Sequence, residues 1–145
     1  MPENLPVDPP VSKPALILLG EDDIDDQELL KEIFTSIDKG LGFIPISNGK
    51  KLITYLEQRP ADELPALIIL DYNMPELNGA EILKILSTHK RYHSIPKIVW
   101  STSKSNDFRA ICLEYGAIDY IVKPSSITAL IEVAKHMLSY ITPRN

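Results

Sequence analysis

Cys112 is the only cysteine in 145 residues, which rules out an intrachain disulfide. It falls in an apolar helical pattern with Ile111 and Tyr115, and that setting predicts a buried, inert thiol. Histidine is scarce too: His89, His93 and His136 stand at no spacing that pairs them with other metal ligands, so all three read as surface residues. The apolar runs are about five residues long, against the roughly 20 that a membrane span needs. The N-terminus has neither the basic start nor the apolar stretch of a secretion signal, so the cytoplasm is the expected location. No dense Lys/Arg run is present. With 15 basic against 20 acidic residues the net charge is −5. General nucleic-acid binding needs a basic footprint, and that class is set aside.

What is present fits one domain: 44% hydrophobic and 24% charged residues are ordinary values for a globular chain of this length. Pro2, Pro6, Pro9, Pro10 and Pro14 crowd the start, which predicts a flexible Pro-rich tail over residues 1–13 and a folded domain over residues 14–141. Within that domain strands and helices alternate. Continuous apolar runs predict strands at residues 15–19, 43–47, 66–70, 97–100 and 118–122. Helical spacing predicts helices at residues 25–36 and 50–58, one opened by Asn78 or Gly79, one at 107–115, and a last one capped by Ser125-Ser126. Strict alternation gives an α/β fold: a doubly wound, five-stranded parallel sheet with flanking helices.

The carboxyl ends of four of those runs carry polar groups: Glu21-Asp22-Asp23, Asp71, Ser101-Thr102 and Lys123-Pro124. A parallel sheet brings such ends together on one edge, where ligand sites collect. Carboxylates, a hydroxyl and an ammonium meeting there make a divalent-cation site beside a phosphoryl acceptor. Each piece alone has a plainer explanation. The acids would cap a helix, Asp71 and Ser101 would begin loops, and Lys123 would be a surface lysine. Their convergence decides between the two.

Leu18-Leu19-Gly20-Glu21-Asp22-Asp23, then Leu70-Asp71-Tyr72-Asn73-Met74-Pro75 with Asn78-Gly79, then Ser101-Thr102 and Lys123-Pro124, resemble the receiver domain of two-component response regulators. The resemblance covers residues 14–141 and implies the flavodoxin-like (β/α)5 receiver fold. It implies Mg²⁺ as cofactor, with Asp22 a direct ligand, Glu21 acting largely through water, Asp71 contributing, and Asn73 giving its backbone carbonyl. By the same resemblance Asp71 is the phosphoacceptor, Ser101 and Lys123 contact the phosphoryl oxygens, and Pro124 is a cis proline that aims Lys123. Tyr120 is the aromatic switch, and Thr102 and the Asn73 side chain tune access of water. Asp23 points away and starts the next helix. Gly20 departs from the family's usual aliphatic residue and is expected to loosen the backbone there. Residues 38–65 form a longer second unit than in compact members.

The resemblance also implies a role. A stand-alone receiver would take its phosphoryl group from a sensor histidine kinase or histidine phosphotransfer protein. It would have only intrinsic autophosphorylation and autodephosphorylation, and would signal to a downstream protein, or form a homodimer, through the fourth helix, fifth strand and fifth helix. No DNA-binding or catalytic output domain is expected within these residues. The rivals are a scaffold receiver that is never phosphorylated, a Mg²⁺-dependent aspartyl-phosphate hydrolase of the haloacid dehalogenase type, and a flavodoxin-like cofactor binder. The hydrolase needs an acid two residues after the nucleophile, where this chain has Asn73. The cofactor binder needs a Ser/Thr/Gly phosphate loop where this chain has Glu21-Asp22-Asp23.

Overall fold

The computed structural model describes residues 14–141; the predicted tail at residues 1–13 lies outside the described residues. Five strands, β1 (Leu16–Gly20), β2 (Gly42–Ile46), β3 (Leu67–Asp71), β4 (Lys97–Ser101) and β5 (Asp119–Val122), alternate with five α-helices. These are α1 (Ile24–Ile37), α2 (Gly49–Gln58), α3 (Gly79–Ser87), α4 (Asn106–Glu114) and α5 (Ile127–Leu138). Every strand pair is parallel, in the order β2-β1-β3-β4-β5. The predicted doubly wound sheet is therefore the one observed.

Side chains of a strand alternate between the two sheet faces, and the core divides accordingly. Ile17 and Leu19 join Leu30 and Phe34 of α1 and Leu130 and Ala134 of α5. Leu18, between them, joins Leu52 and Leu56 of α2, Ile82 and Leu83 of α3, and Cys112 of α4. Two covered faces explain why the strands read as unbroken apolar runs. Cys112 is fully buried, and burial pushes its thiol up to about 11, in line with the inert cysteine predicted. All three histidines are exposed. Pro45, which cannot donate to a ladder, sits in the outer strand β2. The longer second unit is taken up by a short 3-10 turn, Ala61–Glu63, braced by the Arg59–Glu63 ion pair at 2.7 Å.

Three strands, β1, β3 and β4, end one residue later than the apolar pattern does. Asp71 and Ser101 are the last residues of β3 and β4, not the first loop residues after them. Asp71 stays in register with Trp100, and Ser101 with Val122. A ladder is set by backbone bonds and does not stop at the first polar side chain. Both candidate site residues are thereby fixed to the sheet.

Gly20 also differs from expectation. It is buried at the end of β1, in register with Ile46 on one side and Leu70 on the other, so the backbone there is not loose. Space explains the residue: a Cβ would lie 2.8 Å from Met74 Cε and 2.9 Å from Leu52 Cδ1. Gly20→Ala is expected to destabilise by about 1–2 kcal/mol, because these side chains must move to admit a methyl group. A lower urea midpoint at unchanged slope would register it, and an unchanged midpoint would show that Met74 and Leu52 yield freely.

Candidate functional site

The site forms where β1, β3, β4 and β5 end. Glu21 follows Gly20 directly, and its N–H donates to the Ile46 carbonyl at 3.0 Å, which extends the β1–β2 ladder by one residue. Its side chain is fully buried. Oε2 accepts from the Asp23 N–H at 3.2 Å, and the Gln27 amide donates to the Glu21 carbonyl at 2.5 Å. Asp22 is exposed, whereas Asp71 is buried. Carboxylate oxygens of Glu21, Asp22 and Asp71 lie within 4.8 Å of one another. Asp23 points elsewhere, as predicted: it caps α1 by accepting from the Asp26 N–H at 3.1 Å.

Lys123 closes the site. Its N–H donates to the Ser101 carbonyl at 2.8 Å, and its ammonium donates to Glu21 Oε1 at 2.8 Å, Asp71 Oδ2 at 3.0 Å and Asp26 Oδ2 at 3.0 Å. The ammonium also stands 4.6 Å from the centroid of the Trp100 ring. The bond from Lys123 to Pro124 is trans, since no peptide bond among the described residues is cis. The implied cis proline is thus corrected. Trans is the ordinary form of an X-Pro bond, and the Ser101 carbonyl and three carboxylates hold Lys123 without the other isomer.

The remaining residues take these places. Asn73 donates its N–H to Asp71 Oδ1 at 3.0 Å, and Asn73 is exposed. Ser101 is fully buried, and its Oγ accepts from the Ser103 N–H at 3.1 Å. Thr102 is exposed beside it. Tyr120 is buried, and its hydroxyl donates to the Ser103 carbonyl at 2.9 Å, so the ring already occupies an inward position. The Asn78-Gly79 pair sets α3 against the end of β3. Asn78 and Glu81 form a reciprocal capping box, and a Cβ on Gly79 would approach the Asp71 carbonyl to 3.0 Å. Two neighbours were missed in the sequence: Asp26, one of five acids between residues 21 and 26, and Trp100, which looked like an ordinary core residue.

Charge dominates the pocket. Burial, then the Asp71 carboxyl beside it, push Glu21 from 4.5 up to about 8 against the pull of Lys123. For Lys123, burial works to lower the ammonium, but its bonds to Glu21, Asp71 and Asp26 outweigh burial and raise it. The carboxylate oxygens that meet at this edge are the hard donors that a divalent cation such as Mg²⁺ takes.

The shift has a measurable consequence. A carboxyl raised in the folded state stabilises most below about 4.5 and loses that contribution as pH rises through about 8. Lys123 is raised above its ordinary value, so its contribution stays whole across that window. Without divalent metal, the parent is expected to lose stability from about pH 5 to about pH 8 relative to Glu21→Gln. Urea midpoints of both chains at the two pH values test this; parallel profiles would remove Glu21 from the balance.

A doubly wound sheet with this acidic edge and a facing lysine defines the receiver class of signalling domain. The chain belongs to it: the response regulator receiver domain model matches residues 17–135. Chemotaxis protein CheV2 of Helicobacter pylori is 28% identical over 129 residues, covering 89% of this chain and 40% of that protein. The crystal structure of the Mn²⁺-bound form of response regulator Rcp1 superposes with a TM-score of 0.79 at 26% identity, over 91% of this chain and 98% of that one. The phosphorylated cyanobacterial phytochrome response regulator RcpA gives a TM-score of 0.79 at 26% identity, over 88% and 93%. The chain spans less than half the length of several curated relatives it matches, CheV2 among them. No helix among the described residues is long and apolar enough to cross a membrane.

Proposed function

We propose that this receiver, residues 14–141, accepts a phosphoryl group on Asp71 from the phosphohistidine of a sensor histidine kinase or a histidine phosphotransfer protein. The observation that carries this reading is the meeting of Glu21, Asp22, Asp71 and Lys123 at one sheet edge. An Asp71 oxygen attacks phosphorus, the P–N bond to the donor imidazole breaks, and the imidazole leaves with its proton. Lys123 passes its bond from Asp71 to a phosphoryl oxygen, and the Ser101 hydroxyl donates to another. Glu21, Asp22, Asp71 and the Asn73 carbonyl would hold Mg²⁺, which neutralises the charge of the entering phosphate. The Mn²⁺-bound form of Rcp1 supports such a cation, and phosphorylated RcpA supports such a product. The chain would have only intrinsic autophosphorylation and autodephosphorylation, tuned by the exposed Asn73 and Thr102.

The signal would leave by protein contact in the cytoplasm. Ser101 joins Tyr120 through Ser103, which donates its N–H to one and offers its carbonyl to the other. Beyond them, Ile111 and Leu113 of α4 and Ile118 before β5 are exposed apolar residues. They support the face of α4, β5 and α5 as the surface for a target or a second copy. Hydrogen exchange with and without Mg²⁺ and beryllofluoride tests the switch. Altered protection in β4–α4 and β5 is the expected result. Mimic binding that leaves these segments unchanged would favour a scaffold.

A further inference from the structure

Lys123 has three protons to donate, and all three are committed: to Glu21, to Asp71 and to Asp26. The three acceptors are not equivalent. Oxygens of Glu21 and Asp71 also belong to the acidic group that includes Asp22, while Asp26 stands outside that group. On the proposed function, which this inference assumes, a cation draws on Glu21 and Asp71 becomes the acyl phosphate. Two of the three partners therefore change role during the cycle. Asp26 does not. It sits in the first turn of α1, where the Asp23 cap fixes its backbone N–H at 3.1 Å.

We propose that Asp26 is a positioning residue for Lys123, holding the ammonium over Asp71 while Glu21 and Asp71 are otherwise engaged. It touches neither phosphate nor donor. Without it Glu21 and Asp71 are the carboxylate partners left to the ammonium, so it competes there with an incoming cation and loses its aim at the phosphoryl oxygens. The Asp26 side chain is 31% exposed, so water screens the pair and the effect is modest.

The test is a double-mutant cycle of Asp26→Asn and Lys123→Ala, each variant first shown to be folded by circular dichroism. Mg²⁺ alone is titrated by the fluorescence of Trp100, the only tryptophan, whose ring lies beneath the ammonium. The rate of phosphoryl gain from acetyl phosphate is then followed by intact mass. Asp26→Asn is expected to weaken Mg²⁺ binding and slow phosphoryl gain by about three- to fivefold, and to change neither once Lys123 is Ala. An equal loss in both backgrounds would make Asp26 a plain charge near the cation and overturn the proposal, as would no loss in the parent. A parent that binds Mg²⁺ but gains no phosphoryl group sinks the proposed function alone, because the Mg²⁺ cycle still decides on Asp26. A parent that binds no Mg²⁺ overturns both.

Discussion

Lys123→Ala should destabilise the metal-free protein by about 3 kcal/mol, and added Mg²⁺ should return much of that stability. The ammonium is the positive charge bonded to both buried carboxyls, Glu21 and Asp71, at 2.8 and 3.0 Å. Removing one partner of a buried ion pair strands the other, which is costlier than losing a surface bridge. Here the stranded groups have one escape: Glu21 already tends to hold a proton, and without Lys123 it would hold it more firmly. That escape keeps the loss at the lower end of the usual range. The ammonium also gives up its contact with the Trp100 ring, worth about 1 kcal/mol. A divalent cation offers the carboxylates a replacement charge, so Mg²⁺ should raise the variant's urea midpoint. Phosphoryl gain should nonetheless slow by roughly 10²-fold, the loss usual for removing one donor to the developing charge. Stability that Mg²⁺ leaves unaltered would mean that the carboxylates do not form one site.

Asp71→Asn should separate the cation from the fold. In the parent, Mg²⁺ at about 100 times its dissociation constant is expected to add about 2.7 kcal/mol to the free energy of unfolding. Asn keeps the size of Asp71 but only one acceptor oxygen, so of the separate bonds from Asn73 to Oδ1 and from Lys123 to Oδ2 it can keep one. The lost bond is offset because the like charge beside Glu21 is removed. The metal-free variant is therefore expected to match or exceed the metal-free parent in stability. Most of the Mg²⁺ increment should vanish, and phosphoryl gain should vanish with it. Denaturant unfolding with Mg²⁺ and with chelator reads both effects. A variant that keeps the full increment would place the cation away from Asp71.

The fold was legible because both faces of the sheet are covered. Residues such as Leu67, Ile68, Ile69 and Leu70 form one apolar run that neither a helix face nor a half-exposed strand would need. The ends of the strands were less legible. Asp71 and Ser101 are polar, so composition places them outside strands, while ladder partners far off in sequence keep them inside. The core of the site was visible in its motifs, yet its edges were not. Among the acids at residues 21–26, only the turn of α1 determines that Asp26 meets Lys123 while Asp25 is left exposed. Gly20 likewise has a reason only in three dimensions, where Met74, Leu52 and Leu70 fill the place of a side chain.

The proposed function stands or falls with Asp71 as a metal-dependent phosphoryl acceptor. Intact mass after incubation with acetyl phosphate and Mg²⁺, with a chelator control and Asp71→Asn alongside, decides it. A gain of one phosphoryl group is expected in the parent with Mg²⁺, and none with chelator or in the variant. No gain in the parent, or an equal gain in Asp71→Asn, would contradict it.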